Sequence, residues 1–400
     1  MKFYYFCHRK PNGSLLCYKS LVFKLQTQND MKIKSISIKD GRTGWNVSSI
    51  QFNPLLTLLV GASGVGKTKV LNGIYALKQI ALGESFYGLE WKTEFEQLGR
   101  TYYWEGSFEV SKDINQTFFE EKNEGFTLVR ELITDNGVEL VNRTPQSIVY
   151  KGQELVKLDN TKSVVELLKN EPSIKPIYFG FQQCYDMDTS SRIRISPIVD
   201  VSRRNTLNFM LIRALRMFSP LERLFLLYEN KLKEFDIICQ KFQSIFPTVE
   251  KLDYALVKAS DDKLIPLLRI KERGVSSWIE QTGISSGMMR TLLQIITLVL
   301  ANDGDLIMID EFENGLGVNC INELADLIME PEADIQVIMT SHHPYIINAI
   351  PVKDWKILTR NGSDVYVHTA EELHIGEHSK HEAFMQLLQS PEYKTGLNRN

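Results

Sequence analysis

The chain is short of cysteine, of net charge and of long apolar runs, and each shortage removes a class of protein. Five cysteines, at positions 7, 17, 184, 239 and 320, are an odd number without short paired spacing. Neither a disulfide framework nor a zinc site is indicated, and buried or incidental thiols are the expectation. No apolar stretch approaches the roughly twenty residues a spanning helix requires, so no membrane segment is expected. The start, Met1 to Cys7, lacks the charged-then-apolar layout and small-residue cleavage site of a signal peptide, so a cytoplasmic protein is expected. A net charge of −3 argues against a protein that coats nucleic acid wholesale. Internal repeats and low-complexity tracts are also missing. What remains, 43% hydrophobic and 24% charged over 400 residues, suits one large globular domain with an insertion, or two domains.

The residues that can carry chemistry gather at the ends of apolar runs. Gly61-Ala62-Ser63-Gly64-Val65-Gly66-Lys67-Thr68 is a complete phosphate-binding loop, following the run Leu55 to Val60 and opening into a helix-like stretch, Val70 to Ile80. Small residues at Gly61, Gly64 and Gly66 let successive backbone N–H groups curl around a β-phosphate; Lys67 reaches the β/γ oxygens and Thr68 offers its hydroxyl to Mg²⁺. The strand-before, helix-after context separates this motif from an ordinary glycine turn. A nucleoside triphosphate therefore binds here, with no base-stacking aromatic to distinguish ATP from GTP.

Leu306-Ile307-Met308-Ile309-Asp310-Glu311 is an apolar run ending in two carboxylates, as a buried parallel strand would deliver acids to a phosphate site. Alone, it also describes a strand ending at a solvated turn. Beside the phosphate loop, Asp310 is expected to hold the Mg²⁺ shell, by water or directly, and Glu311 to orient or deprotonate an attacking water. At Ile284-Ser285-Ser286-Gly287-Met288-Met289-Arg290 a small polar cluster precedes the apolar helix Thr291 to Ala301. Ser285 and Ser286 read either as a simple helix cap or as an N-terminal anion site for a γ-phosphate. Val337-Ile338-Met339-Thr340-Ser341-His342-His343-Pro344 is another apolar strand, ending in hydroxyls and imidazoles.

A phosphate loop, a Ser-Ser-Gly helix start, an Asp-Glu strand and a Ser-His strand follow the sequence order of ABC-type ATPase heads. The chain resembles their SMC/RecF-related branch, particularly the OLD-like "AAA-family" ATPases of bacterial anti-phage and abortive-infection systems. Ile309-Asp310-Glu311-Phe312-Glu313-Asn314-Gly315-Leu316 is similar to that group's Asp-Glu-Pro-Glu-Asn-Gly-Leu, and Thr340-Ser341-His342-His343-Pro344-Tyr345 to its Thr-Ser-His-Ser-Pro-Tyr. The resemblance spans Met31 to about Gly396 and is sharp only in the four motifs. It implies that Glu311 is the catalytic carboxylate and that Lys67, Thr68 and Asp310 hold phosphate and metal. Ser285 and Gly287 would touch the γ-phosphate on the opposite subunit, and His342 would sense that phosphate. It further implies a homodimer, or a higher oligomer, closed over sandwiched ATP, and a partner effector such as a nuclease encoded beside it, in defence against phage. Phe312 in place of proline, Gly317 and Val318 in place of His-Pro, and Ser286 in place of a transporter's glycine are departures. A RecF- or SMC-like DNA-repair ATPase would share every motif, and a non-catalytic scaffold held together by ATP remains an alternative. A self-contained nuclease is not indicated, since Asp186-Met187-Asp188 alone is too little.

The fold expected is α/β: an ABC-type P-loop ATPase head, a mostly parallel sheet with an antiparallel β arm and a short helical insertion. Residues 1–30 read as an extension of uncertain origin, with Met31 a candidate start. Residues 31–200 read as a first lobe with phosphate loop and arm, 201–260 as the helical insertion, and 261–400 as a second lobe with the remaining motifs. Asn136-Gly137 and Asn361-Gly362 mark hairpins, and the tail from Glu377 reads as a polar helix followed by a loose terminus. Gln182 or Gln183 could link metal to arm, or sit in a solvated loop. Arg192, Arg194, Arg203, Arg204, Arg213, Arg216 and Arg223 crowd one segment, readable as a DNA-facing strip, a site for an acidic partner or a solvated helix face.

Overall fold

Three apolar runs set the architecture, because a strand buried on both faces needs a neighbour on each edge and a layer above and below. Leu56–Val60, Leu306–Ile309 and Gln336–Thr340 are buried at every position. They lie side by side and parallel, with Trp355–Asn361 beyond the first and Cys184–Asp186 beyond the second, also parallel. The computed structural model describes residues 3–9, 15–21, 30–110, 125–156, 158–187, 199–200, 207–215, 218–260, 263–376 and 379–398. The chain divides into two compact units: Gln28–Met187 with Asp303–Glu313 and Ala333–Asn400, and Met1–Thr27 with Asp188–Asn302 and Asn314–Glu332.

Among the described residues, the parallel strands of the first unit belong to a fourteen-stranded sheet. The sheet departs from the mostly parallel one expected, and the reason is a shared strand. Lys32–Asp40 pairs antiparallel with Asn46–Gln51 on one side and with Leu89–Gln97 on the other. Asn46–Gln51 in turn pairs with Asp364–Thr369 of the hairpin that borders the parallel set. The arm, Leu89–Gln97, Arg100–Phe108, Leu128–Asp135, Val138–Arg143 and two short strands, therefore continues the core ladder instead of forming a separate sheet. Its inner face is aromatic: Trp91 meets Trp104 edge-on at 5.4 Å, and Phe181 meets both Phe95 and Trp104 at 5.2 Å. Such pairs add about 0.5–1.5 kcal/mol each beyond the area they bury.

The helix Lys67–Ala81 buries Val70, Leu71, Ile74, Leu77 and Ile80, the i, i+3, i+4 stripe of a helix laid on a sheet. Asn136 and Gly137 take φ of 49° and 79°, the two left-handed positions of a tight hairpin turn. Where a loose terminus is expected, the described residues up to 398 are ordered. After the helix Lys380–Gln389 comes a second, Pro391–Thr395, and the Arg360 N–H donates to the Gly396 carbonyl at 2.8 Å.

The second unit contains the helices Phe209–Ala214, Pro220–Glu229 and Lys233–Ile245 that apolar periodicity forecasts. Within the stretch 201–260, however, the helical part stops at 245, and Val249–Ser260 with Lys263–Glu272 forms a long antiparallel hairpin. Two arginines of the crowded segment are described, and both serve the interior. Arg223 is buried, and Arg213 donates to the Ala301 carbonyl with its guanidinium 5.2 Å from the Phe209 ring. Arg192, Arg194, Arg203, Arg204 and Arg216 lie outside the described residues.

Candidate functional site

Because the strands Leu56–Val60, Gln336–Thr340 and Leu306–Ile309 run parallel in that spatial order, their C-terminal ends meet one edge of the sheet. The phosphate loop, the Ser-His turn and the Asp-Glu turn therefore share that edge, where open α/β sheets bind their ligands. Gly61, Gly64 and Gly66 have φ of 150°, 80° and 106°. At Gly61 a side chain would sit 2.6 Å from the Leu358 carbonyl oxygen, and at Gly66 it would meet Trp45 and Val365 at 2.9 Å. Both must be glycine for conformation and for space. Gly66 also supplies no side-chain cap to the helix Lys67–Ala81, so the first turn keeps N–H groups for an anion.

Lys67 is buried, and its Nζ donates to the carbonyls of Gly61 and Ala62, each at 3.0 Å. Burial lowers its pKa to about 8 against the charges of Asp310, Glu311 and Glu313, which raise it. Ser63 and Thr68 are exposed, and Thr68 stands at the second position of the helix.

The acidic turn is held from the neighbouring strand. Thr340 Oγ1 donates to Asp310 Oδ1 at 2.7 Å and accepts the Glu311 N–H at 2.7 Å. Glu311 has φ of 47°, an uncommon left-handed conformation for a non-glycine residue. Both Asp310 and Glu311 are exposed at the strand end, whereas Phe312 is only 1% exposed. His342 is half-buried; burial and then the Lys67 ammonium hold its pKa below the ordinary value, with Glu313, Glu311 and Asp310 opposing. A neutral imidazole with one N–H is thus favoured beside the loop.

These geometries fit a magnesium nucleotide. Among the described residues no cluster of three or more His, Cys, Asp or Glu side chains could hold a metal by itself. Magnesium does not require one, since it is usually held by one or two carboxylates together with substrate phosphates. Asp310 and Thr68 are the groups available for it.

Residues 194–348 match the family model described as an AAA domain, putative AbiEii toxin, of a type IV toxin–antitoxin system. Those residues are similar to that family's domain, and the phosphate loop at 61–68 lies outside them. No curated protein matches the sequence. Similar solved structures include an SMC head bound to the C-winged helix domain of ScpA, with TM-score 0.46 and 15% identity over 84% of this chain and 97% of that one. Another is an SMC head with an extended coiled coil bound to the C-terminal domain of ScpA, from Pyrococcus furiosus, with TM-score 0.44 and 15% identity over 86% and 98%. The SMC head from Thermotoga maritima gives 0.37 and 13% over 84% and 98%. Likeness this distant carries no functional weight.

Ser285, Ser286 and Gly287 belong to the second unit, at the start of the helix Ser286–Val299. Ser285 Oγ caps the helix, accepting the Met288 N–H at 3.2 Å. The Arg290 guanidinium donates to the Asn314 carbonyl at 2.7 Å, and a side chain on Gly287 would sit 3.2 Å from the Gly315 carbonyl oxygen. Gln182 ends the helix Lys175–Gln182 and Gln183 caps it, ahead of the strand Cys184–Asp186 and away from a metal link. The Leu306 N–H donates to the Gln183 carbonyl, at the opposite end of the acidic strand from Asp310.

Two neighbours of the loop carried no sequence signal. Trp45 follows the turn after Lys32–Asp40 and lies against Gly66, with the Lys69 ammonium 5.6 Å and the Arg360 guanidinium 5.5 Å from its ring. Gly396 seats on the loop itself: a side chain there would meet Val65 at 2.6 Å and Ala62 at 3.1 Å. From the helix before it, the Tyr393 phenol has its pKa raised by burial and then by the charge of Glu313.

Proposed function

We propose that this protein binds and hydrolyses ATP with Mg²⁺, and that nucleotide-driven dimerisation switches a partner effector in abortive infection. The observation that carries the reading is the convergence, on one sheet edge, of a glycine-cradled buried lysine with Asp310, Glu311 and His342. Backbone N–H groups of residues 61–66 and Lys67 would hold the β- and γ-phosphates, and Thr68 and Asp310 would hold the metal, whose charge neutralises the phosphate oxygens. Glu311 orients or deprotonates the water that attacks the γ-phosphate, and the neutral His342 donates its N–H to that phosphate. Ser285, Ser286 and Gly287, at a helix N-terminus, would contact the γ-phosphate bound by the opposite subunit. Loss of the phosphate would then reopen the dimer. The matched family's description as a putative toxin of a toxin–antitoxin system supports the defence role, and an effector such as a nuclease would be its partner in the cytoplasm.

The test is the solution mass of wild type and Glu311→Gln, with and without Mg-ATP, alongside phosphate release. ATP-dependent assembly that persists in the variant while its turnover is lost is the expected result. Equal masses in all conditions and no phosphate release would replace the switch with a scaffold; stimulation of wild-type turnover by duplex DNA ends would favour a DNA-repair ATPase.

A further inference from the structure

Glu313 is the one carboxylate of the acidic turn to which the proposed ATP chemistry gives no task. Its side chain nevertheless accepts a hydrogen bond on each oxygen. Oε2 accepts from the Ser341 hydroxyl at 2.7 Å, and Oε1 accepts from the backbone N–H of His342 at 2.7 Å. Ser341 is buried, and its Oγ also accepts the His343 N–H at 3.0 Å, so the hydroxyl is fixed from both sides. One residue earlier, the Phe312 N–H donates to the Thr340 carbonyl at 3.0 Å. Together with the Thr340 hydroxyl bonds to Asp310 and Glu311, every residue from 310 to 313 is tied to the segment 340–342. Phe312 explains itself here: a proline in its place would leave the Thr340 carbonyl without that donor.

We propose that Glu313 is a positioning residue of the hydrolytic site, a carboxylate clasp that fixes the His342 backbone against Asp310 and Glu311. It rests on the ATPase reading above. The physical case is that one carboxylate receives two donors from adjacent residues, one per oxygen. Such a pair defines both distance and rotation, and charge-assisted bonds of this kind are roughly twice as strong as neutral ones. Because one of the two donors is the backbone of His342, the clasp sets where the imidazole starts from, whatever its rotamer. The acidic turn and the histidine turn then respond to a phosphate as one body.

The experiment compares Glu313→Ala, Glu313→Gln, His342→Ala and the double variant Glu313→Ala/His342→Ala with wild type in ATP binding and phosphate release. Glu313→Ala should bind ATP within about three-fold of wild type and release phosphate at least about ten-fold more slowly. Glutamine can still accept the His342 N–H through its carbonyl and donate to Ser341, so Glu313→Gln should recover turnover to within about three-fold of wild type. In the His342→Ala background the Glu313→Ala change should add nothing, as expected of two groups acting as a unit. Ser341→Ala, which removes one of the two donors, supplies a milder variant should Glu313→Ala not fold, and should slow release about three-fold.

Wild-type turnover in Glu313→Ala overturns the clasp alone. So does equal loss in Glu313→Gln, which would mean that the charge and not the hydrogen-bond geometry matters, and so do losses that multiply in the double variant. Absence of phosphate release from wild type overturns the ATPase reading and the positioning role with it.

Discussion

Two carboxylates of the same unit, Glu131 in the arm and Glu311 at the sheet edge, have been given opposite environments. Glu131 is fully buried and accepts from Trp104 Nε1 at 3.0 Å, from the Val164 N–H at 2.8 Å and from the Ser163 hydroxyl. Burial raises its pKa, while those bonds and the Arg143 charge lower it. Glu311 is exposed, on a backbone of φ 47°, with its N–H donating to Thr340 Oγ1 at 2.7 Å. The first environment leaves the carboxylate nothing further to bind. The second keeps a carboxylate accessible at some conformational cost, the pattern expected where reactivity is kept at the expense of stability. Substituting each should therefore affect different quantities.

The largest expected effect is on turnover. Glu311→Gln should reduce phosphate release by at least about 100-fold, the usual scale for a lost general base, while changing folding stability by less than about 1 kcal/mol. Glu131→Ala should do the reverse. It strands a buried indole N–H, a hydroxyl and a backbone N–H, so denaturant unfolding should report a loss of about 3 kcal/mol, with ATP affinity of the folded protein unchanged. A Glu131→Ala protein of normal stability, or a Glu311→Gln protein that turns over normally, would break the contrast.

That contrast also shows what a sequence can disclose. The placement of Lys67, Asp310, Glu311 and His342 at the sheet edge was legible because each follows an apolar run, and buried parallel strands present the residues after their last position at a common edge. The turn at Asn136-Gly137 was legible because few residue pairs accept two left-handed φ values. Glu131 was not, because a carboxylate inside a strand reads as solvent-facing until its partners, Trp104 and Ser163, are brought to it from elsewhere in the chain. Gln336 was hidden for the same reason. Its amide is buried and bridges the N–H and carbonyl of Ile33 and the carbonyl of Asn53, joining the histidine strand to Lys32–Asp40. The extent of antiparallel pairing was also invisible, since it depends on Lys32–Asp40 using both edges, which no local pattern records.

A smaller effect concerns protons at Lys67. Its pKa of about 8, below the 10.5 of a free lysine, means that between those values the unfolded chain binds more protons than the folded one. This group's contribution to stability therefore rises as pH increases from about 8 towards 10.5, and the penalty of its buried charge is fully present below about 8. Triphosphate binding should restore the charged form, so calorimetry at pH 8 in buffers of different ionisation enthalpy should show uptake of about half a proton per ATP from this group. The uptake should vanish at pH 6.5 and in Lys67→Met. Uptake that survives in Lys67→Met would assign it to another group and weaken the view that the site's cation is held in reserve by burial.

The smallest effect is the sharpest test of the cost at Glu311. Asn136 shares its positive φ but belongs to a residue type that tolerates it, and its side chain accepts the Thr101 N–H at 3.0 Å. Glutamate is not such a residue type. Replacing Glu311 by glycine removes about 1 kcal/mol of backbone strain and adds about 0.5 kcal/mol of unfolded-state entropy, for a net gain of about 0.5 kcal/mol. Asn136→Gly should lose stability instead, because the Thr101 bond disappears with the side chain. Denaturant midpoints for the two variants should thus move in opposite directions, with phosphate release abolished only in Glu311→Gly. If Glu311→Gly is destabilised by more than about 1 kcal/mol, the glutamate side chain is holding its own turn, and the separation between a structural acid in the arm and a reactive one at the edge no longer stands.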